Sequence, residues 1–210
     1  SAELNKHLTI QRSCIAFLPK NSKFEPLSAD AGSLEGRSPS FSVIDELHVH
    51  KTPEVYDVLN VASGARAQPL LFAITTAGVN REGICYQQRD YAIKILEEHV
   101  DDDTFFSLIY GVDDGDDWRD PKAWVKANPN YGVSVQSDDL LRLAKQAEES
   151  PSAETNFKTK RLNVWCNTNS AWLSMSAWDA NNINRPPISY WKGKPCYVGL
   201  DLASVNDFAC

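Results

Sequence analysis

Nothing in this sequence of 210 residues approaches the ~20 consecutive apolar residues needed to cross a bilayer, and no charged-then-apolar leader opens it. The chain reads as a folded, soluble, intracellular protein. Cysteine is sparse: Cys14, Cys85, Cys166, Cys196 and Cys210 are odd in number and scattered, without the paired spacing that holds zinc or runs redox chemistry. They read as buried free thiols. Positive charge is also short, and a formal net charge of -7 argues against a general nucleic-acid coat, because phosphate binding draws on a basic surface. Local basic contacts are still open to it. The most telling absence is a glycine-rich loop ending in Gly-Lys-Ser/Thr, whose backbone N–H groups and lysine would cradle a triphosphate. The sole Gly-Lys dipeptide, Gly193-Lys194, runs into Pro195.

What is present is enough for a core: the chain is 42% hydrophobic and carries six Trp. Residues 8–18 suit a strand pair or a bent strand, and a short strand follows near 23–27. After a loop with Gly32, Gly36 and Pro39 comes a strand over 41–44. Thr52, Pro53 and Glu54 read as an N-cap, a first-turn proline and a first-turn acid, so a helix should run to about Ala62 and stop at Gly64. A second apolar strand covers 69–75, an amphipathic helix 83–98, and a third strand 105–110. Alternating strands and helices predict an α/β sandwich on a largely parallel sheet.

Beyond Tyr110 the pattern changes. Asp113, Asp114, Asp116, Asp117 and Asp120 crowd one loop, without the alternating spacing and distal Glu of a calcium site, so a solvated loop is expected. Helices are predicted over 121–128, from a Ser137 cap through Glu149 with Leu140, Leu141, Leu143 and Ala144 inward, and from a Ser152 cap to about Trp165. Residues 184–188, with two prolines, form a stiff linker. A new strand then begins at 195–201, with a turn through Ser204 and Asp207.

Two of the apolar strands end in chemistry. Phe-Ser-Val-Ile at 41–44 runs into Asp45 and Glu46, and the strand ending at Ile74 runs into Thr75-Thr76-Ala77-Gly78. A carboxylate at the tip of a strand can hold Mg2+ through water, and a second acid can polarise a water toward a γ-phosphate. Hydroxyls on the neighbouring strand can sense that phosphate through the same water. Acids at a strand end also serve as plain turn residues, but two strands joined by one helix become neighbours in a parallel sheet. His48 and His50 alternate near these acids, which suggests a metal site; with no third histidine close by, surface histidines opening a loop are the blander account. Asp201 repeats the logic of Asp45 at the tip of a later strand, where a two-metal nuclease would need several converging carboxylates. Arg142, Lys145, Lys158, Lys160 and Arg161 could meet phosphates, but Glu148, Glu149 and Glu154 dilute them toward a solvated face.

With these residues in hand, the chain resembles the large terminase subunit of tailed bacteriophages and prophages, the motor that packages DNA into procapsids. The matching stretches are residues 27–36, 39–48, 74–78, Trp124 with Ala127-Asn128-Pro129, 162–165 and 199–203, in family order across nearly the whole chain. The resemblance implies an α/β fold: part of a P-loop NTPase sheet of RecA type over 1–112, a mainly helical linker or lid over 113–190, and the first strand of a ribonuclease H-like nuclease over 191–210. It implies that Asp45 is the Walker B metal acid and Glu46 the catalytic base. Thr75, Thr76 and Gly78 become the coupling motif, and Asp201 the first nuclease metal carboxylate, with Asp207 a helper. The implied cofactors are ATP with Mg2+, and Mg2+ or Mn2+ for cleavage. The implied partners are double-stranded DNA, the portal protein, the small terminase subunit and further copies in a ring. With no phosphate loop, the chain reads as a fragment, inactive alone; Ser1 and the ending within a strand agree. A helicase of the Asp-Glu-x-His type, or a non-catalytic prophage remnant acting as an interaction module, are the alternatives.

Overall fold

The computed structural model describes Glu3, residues 6–167, 180–181 and 186–195. The chain divides into two compact units, Ser1–Ala171 and Trp172–Cys210. In the first, β1 (Thr9–Ile10), β2 (Ile15–Phe17) and β3 (Ser22–Phe24) form a short antiparallel meander. Asn21 turns β2 into β3 in the left-handed region (φ 47°), where Asn is better tolerated than most residues.

The part that positions the site is a two-stranded parallel sheet. Strand β4 (Phe41–Asp45) lies beside β5 (Leu70–Ile74) in a register that sets Ile44 opposite Ala73 and Asp45 opposite Ile74. Helix α1 (Glu54–Ala62) makes the crossover, as a parallel pair requires. Its Val55 and Leu59 bury against Ile44, Leu34 and Leu47, joined by Ile84 and Cys85 of α2 (Ile84–Leu96). The opposite sheet face is bare: Phe41, Val43, Leu70, Phe72 and Ile74 are each about half exposed. Alternation therefore selects one covered face and one apolar face open to solvent.

Residues 105–110 are not a strand, contrary to expectation. They have no ladder partner among the described residues, and Phe106 and Leu108 are exposed. An apolar run favours extended backbone; pairing needs a neighbour, and the segment instead meets the end of a helix. Tyr110 accepts a bond from Asn163, and the Val112 N–H donates to the Leu162 carbonyl.

The helical half has its own core. Asp120 caps α3 (Pro121–Ala127), accepting from the Lys122 N–H at 2.9 Å with Pro121 in the first turn. Helices α4 (Ser137–Glu149) and α5 (Pro151–Leu162) pack on it around Trp118, Trp124, Leu140, Ala144, Ala147, Phe157 and Leu162. The Trp124 indole N–H donates to the Trp118 carbonyl at 2.7 Å, so the buried ring leaves no polar atom stranded. Leu140, Ala144 and Ala147 share one helical face, which turns Leu141 outward at 42% exposure, correcting the inward reading. The predicted caps also move. Pro53, Gln136 and Ser150 occupy the cap positions without side-chain bonds, and Thr52, Ser137 and Ser152 do not. The aspartate-rich loop is clasped by Lys126, whose ammonium lies 2.6 Å from Asp113 and 2.8 Å from Asp116. That pairing holds the Asp116 carboxyl below its ordinary range.

In the second unit, α6 (Ile188–Trp191) sets Tyr190 edge-on to Trp191, with the Lys194 ammonium 3.2 Å from the Tyr190 ring centre. The predicted strand at 195–201, Asp201, Ser204, Asp207, Cys196 and Cys210 lie outside the described residues.

Candidate active site

Asp45 is the last residue of β4 and is exposed at its tip. Glu46 follows in the left-handed region (φ 53°, ψ 49°), which ends the pleat and starts the single 3-10 turn Leu47–Val49. Leu47, 2% exposed, anchors that turn in the core. The chain is thereby folded so that His48 meets the tip of the neighbouring strand. The His48 backbone N–H donates to the Thr75 hydroxyl oxygen at 3.0 Å. His48 Nδ1 lies 3.0 Å from that same oxygen and 3.1 Å from Glu46 Oε2. Thr75 in turn donates its proton to the Thr76 carbonyl at 2.8 Å. The far nitrogen of the ring, Nε2, is in contact with the Lys160 ammonium of α5.

The structure thus brings Glu46 and Thr75 together through His48, and sets Asp45 beside them at the strand edge. The sequence reads His48 as a surface histidine or a metal candidate, and the structure corrects both. Its side chain is only 9% exposed, and no cluster of three His, Cys, Asp or Glu side chains suited to a metal exists among the described residues. Burial pushes the imidazole below its ordinary range; the Lys160 charge adds to this, and Glu46 opposes it. A proximity between sheet tip and α5, more than a hundred positions apart in the chain, leaves no mark in local patterning.

The rest of the second tip is fastened to the exit of α5. The Ala77 N–H donates to Asn163 Oδ1 at 3.3 Å, while Asn163 Nδ2 donates to the Tyr110 carbonyl at 2.8 Å. Asn163 ends α5 in the left-handed conformation (φ 54°), a common role for Asn. The Cys166 N–H donates to the Gly78 carbonyl at 3.2 Å. A Cβ at Gly78 would lie 3.2 Å from His48 Cβ and 3.5 Å from the Trp165 ring, so a side chain here would crowd both. Arg81 donates to the Trp165 carbonyl at 2.8 Å, and Tyr86 stacks edge-on against that indole at 4.9 Å. Asn163 was missed in the sequence as a site residue; a helix-ending Asn just after Lys160 and Arg161 was the available signal.

Three other basic residues of the helical half are engaged locally. Lys158 pairs with Glu154, and Arg142 and Arg161 both pair with Asp139. Of the basic residues on α5, Lys160 is the one turned to the sheet tip. Cys85 is buried beside Thr75 and its thiol is raised by that burial, whereas Cys14 and Cys166 are only partly covered, which corrects the reading of uniformly buried thiols.

The site is thus an acid-tipped strand beside a hydroxyl-tipped parallel neighbour, fastened to a helical layer. The chain belongs to the terminase large subunit family: the family description "Terminase large subunit, endonuclease domain" matches residues 99–210, and "Terminase large subunit, ATPase domain" matches 3–94. Among individual relatives, Protein YmfN of Escherichia coli K12 is 42% identical over 173 residues, covering 82% of this chain and 38% of that protein. The terminase large subunit of Enterobacteria phage HK97 is 29% identical over 206 residues, covering 96% of this chain and 38% of its own length. The crystal structure of the HK97 bacteriophage large terminase superposes with a TM-score of 0.68 at 27% identity, over 85% of this chain and 37% of that one. The chain therefore spans well under half the length of these relatives. The helicase alternative finds no support among them, and the mixed α/β fold is the family's. No helix among the described residues is long and apolar enough to cross a membrane.

Proposed function

We propose that this chain supplies the hydrolytic edge of a terminase motor, which spends ATP to package double-stranded DNA and cuts it with a metal-dependent nuclease. The observation that carries the reading is the juxtaposition of Asp45, Glu46 and Thr75 at the ends of two paired parallel strands. Glu46 is the general base, its carboxylate accepting a proton from the attacking water. Asp45 is the residue that would hold Mg2+. A single exposed carboxylate fits that ion, which keeps several waters and takes phosphate oxygens as its other ligands. When bound, the ion neutralises charge on the phosphates. Thr75, Thr76 and Gly78 form the coupling motif, and the bonds of Thr75 with His48, of the intervening Ala77 with Asn163 and of Gly78 with Cys166 give the route by which a change at the tip is felt in the helical half.

In this reading residues 1–112 are ATPase core, 113–190 the linker or lid, and 191–210 the start of the nuclease. Asp201, helped by Asp207, is a carboxylate for the Mg2+ or Mn2+ of DNA cleavage. The motor works as a ring of copies with the portal protein and the small terminase subunit, in the host cytoplasm. The test uses a full-length chain carrying this segment and a phosphate loop. Glu46→Gln should keep nucleotide binding and abolish turnover, and undiminished turnover would remove Glu46 from the mechanism. Asp201→Ala should abolish cleavage of DNA and spare ATPase activity; persistent cleavage would refute its role.

A further inference from the structure

We infer that Lys160 and His48 are positioning residues for Glu46: the lysine fixes the tautomer of the histidine, and that tautomer aims the carboxylate. The inference rests on the hydrolytic reading of Glu46 given above.

It follows from counting protons around Thr75. A hydroxyl has one proton to donate, and Thr75 gives it to the Thr76 carbonyl at 2.8 Å. Its oxygen can then only accept, and its two lone pairs already face the His48 backbone N–H at 3.0 Å and the Cys85 thiol at 3.7 Å, which leaves the Glu46 carboxylate as the better acceptor for the ring. His48 Nδ1, 3.0 Å from that oxygen and 3.1 Å from Glu46 Oε2, faces two acceptors and must carry the ring proton. In a neutral imidazole Nε2 then keeps its lone pair. What stands against Nε2 is the Lys160 ammonium, which has donors only. The opposite tautomer would set an N–H against an ammonium and leave two acceptors facing a lone pair. The donors therefore run one way, from Lys160 to Nε2 and from Nδ1 to Glu46.

The arrangement matters because the Glu46 side chain is 53% exposed and has little packing to hold it, whereas the ring beside it is nearly enclosed. Its aim is set by the Nδ1–H bond. Lys160 belongs to α5, whose exit also holds Ala77 and Gly78 through Asn163 and Cys166. A shift of α5 would thus release the coupling tip and the base together. Turnover is conditional on α5 being seated against the sheet.

Two measurements test this. In the 210-residue chain labelled with 15N-histidine, His48 should show the Nδ1–H tautomer, and Lys160→Met should move it to the Nε2–H form while Lys160→Arg keeps it. In a full-length chain, Lys160→Met should lower kcat for ATP hydrolysis by about 10- to 100-fold, the cost of a misaimed catalytic group. KM for ATP should stay unchanged, and Lys160→Arg should restore much of the rate. An Nε2–H tautomer in the unaltered chain, an unchanged kcat in Lys160→Met, or a loss that falls on KM would each overturn the inference. Glu46→Gln measured alongside separates the two readings. If it is dead while Lys160→Met is fully active, the positioning role alone is lost; if it retains turnover, the assignment of Glu46 itself falls.

Discussion

Glu46 occupies a backbone conformation that side chains resist, and this can be measured without any catalytic assay. At φ 53° and ψ 49° its Cβ crowds the following carbonyl, which costs an L-residue about 1–2 kcal/mol relative to a right-handed conformation. Glycine escapes that clash but loses about 0.5–1 kcal/mol of extra chain entropy on ordering. Two substitutions isolate the backbone contribution. Glu46→Gly and Glu46→Ala both delete the 3.1 Å contact to His48, which is exposed on the Glu46 side and is worth no more than about 1 kcal/mol. Their difference therefore reports φ and ψ alone. Glu46→Gly should exceed Glu46→Ala in stability by about 1 kcal/mol, or roughly 2–4 °C in Tm for a unit of this size. Urea unfolding followed by tryptophan fluorescence gives the number. Equal stabilities, or Glu46→Ala ahead, would refute the claim that this position is strained. In a full-length chain the role proposed for Glu46 predicts that both variants are inactive, at a position that folding alone would give to glycine.

Two further outcomes follow from the site. Asn163→Gly keeps the left-handed helix end but deletes the bonds to Ala77 and Tyr110, each worth about 1 kcal/mol, and Asn163→Ala adds the backbone strain, about 1 kcal/mol more. Faster amide exchange at Ala77 in both variants, with the stability order Asn, Gly, Ala, is the expected result; unchanged exchange would dissolve the fastening of tip to helix. His48 supplies a pH dependence. Burial lowers its pKa below the ordinary 6.5, so between the two values the unfolded chain binds more protons than the folded one. Stability should rise with pH across that window, level off above it, and lose this contribution in His48→Gln. A urea midpoint that falls over the same range would contradict the assigned direction.

Much of this molecule is written in local patterns. The Val43-Ile44 run into Asp45, the crossover helix bounded by Pro53 and Gly64, and the hydroxyl tip after Ile74 all gave elements close to their observed bounds, because spacing and breakers act over a few residues. Residues 105–110 failed because β-propensity describes a chain willing to extend, and cannot say whether another strand is there to meet it. Leu141 failed because it sits beside Leu140 on the helix, a third of a turn off the buried face. His48 and Lys160 could not be joined from sequence, since their contact is made by the packing of α5 on the sheet tip. Asp201 and Asp207 remain readings of the sequence.

The bare face of the parallel sheet governs how the isolated chain behaves in a tube. Phe41, Val43, Leu70, Phe72 and Ile74 form a flat apolar strip on two uncovered strands, the composition from which intermolecular sheets grow. The principal counterforce is the formal charge of -7, and its reach shrinks to ~8 Å at physiological ionic strength. Salt therefore favours self-association, and sulfate more strongly than chloride because it also strengthens apolar burial. Cold, dilute, low-salt buffer should therefore keep the chain monomeric, and light scattering across a salt series checks it.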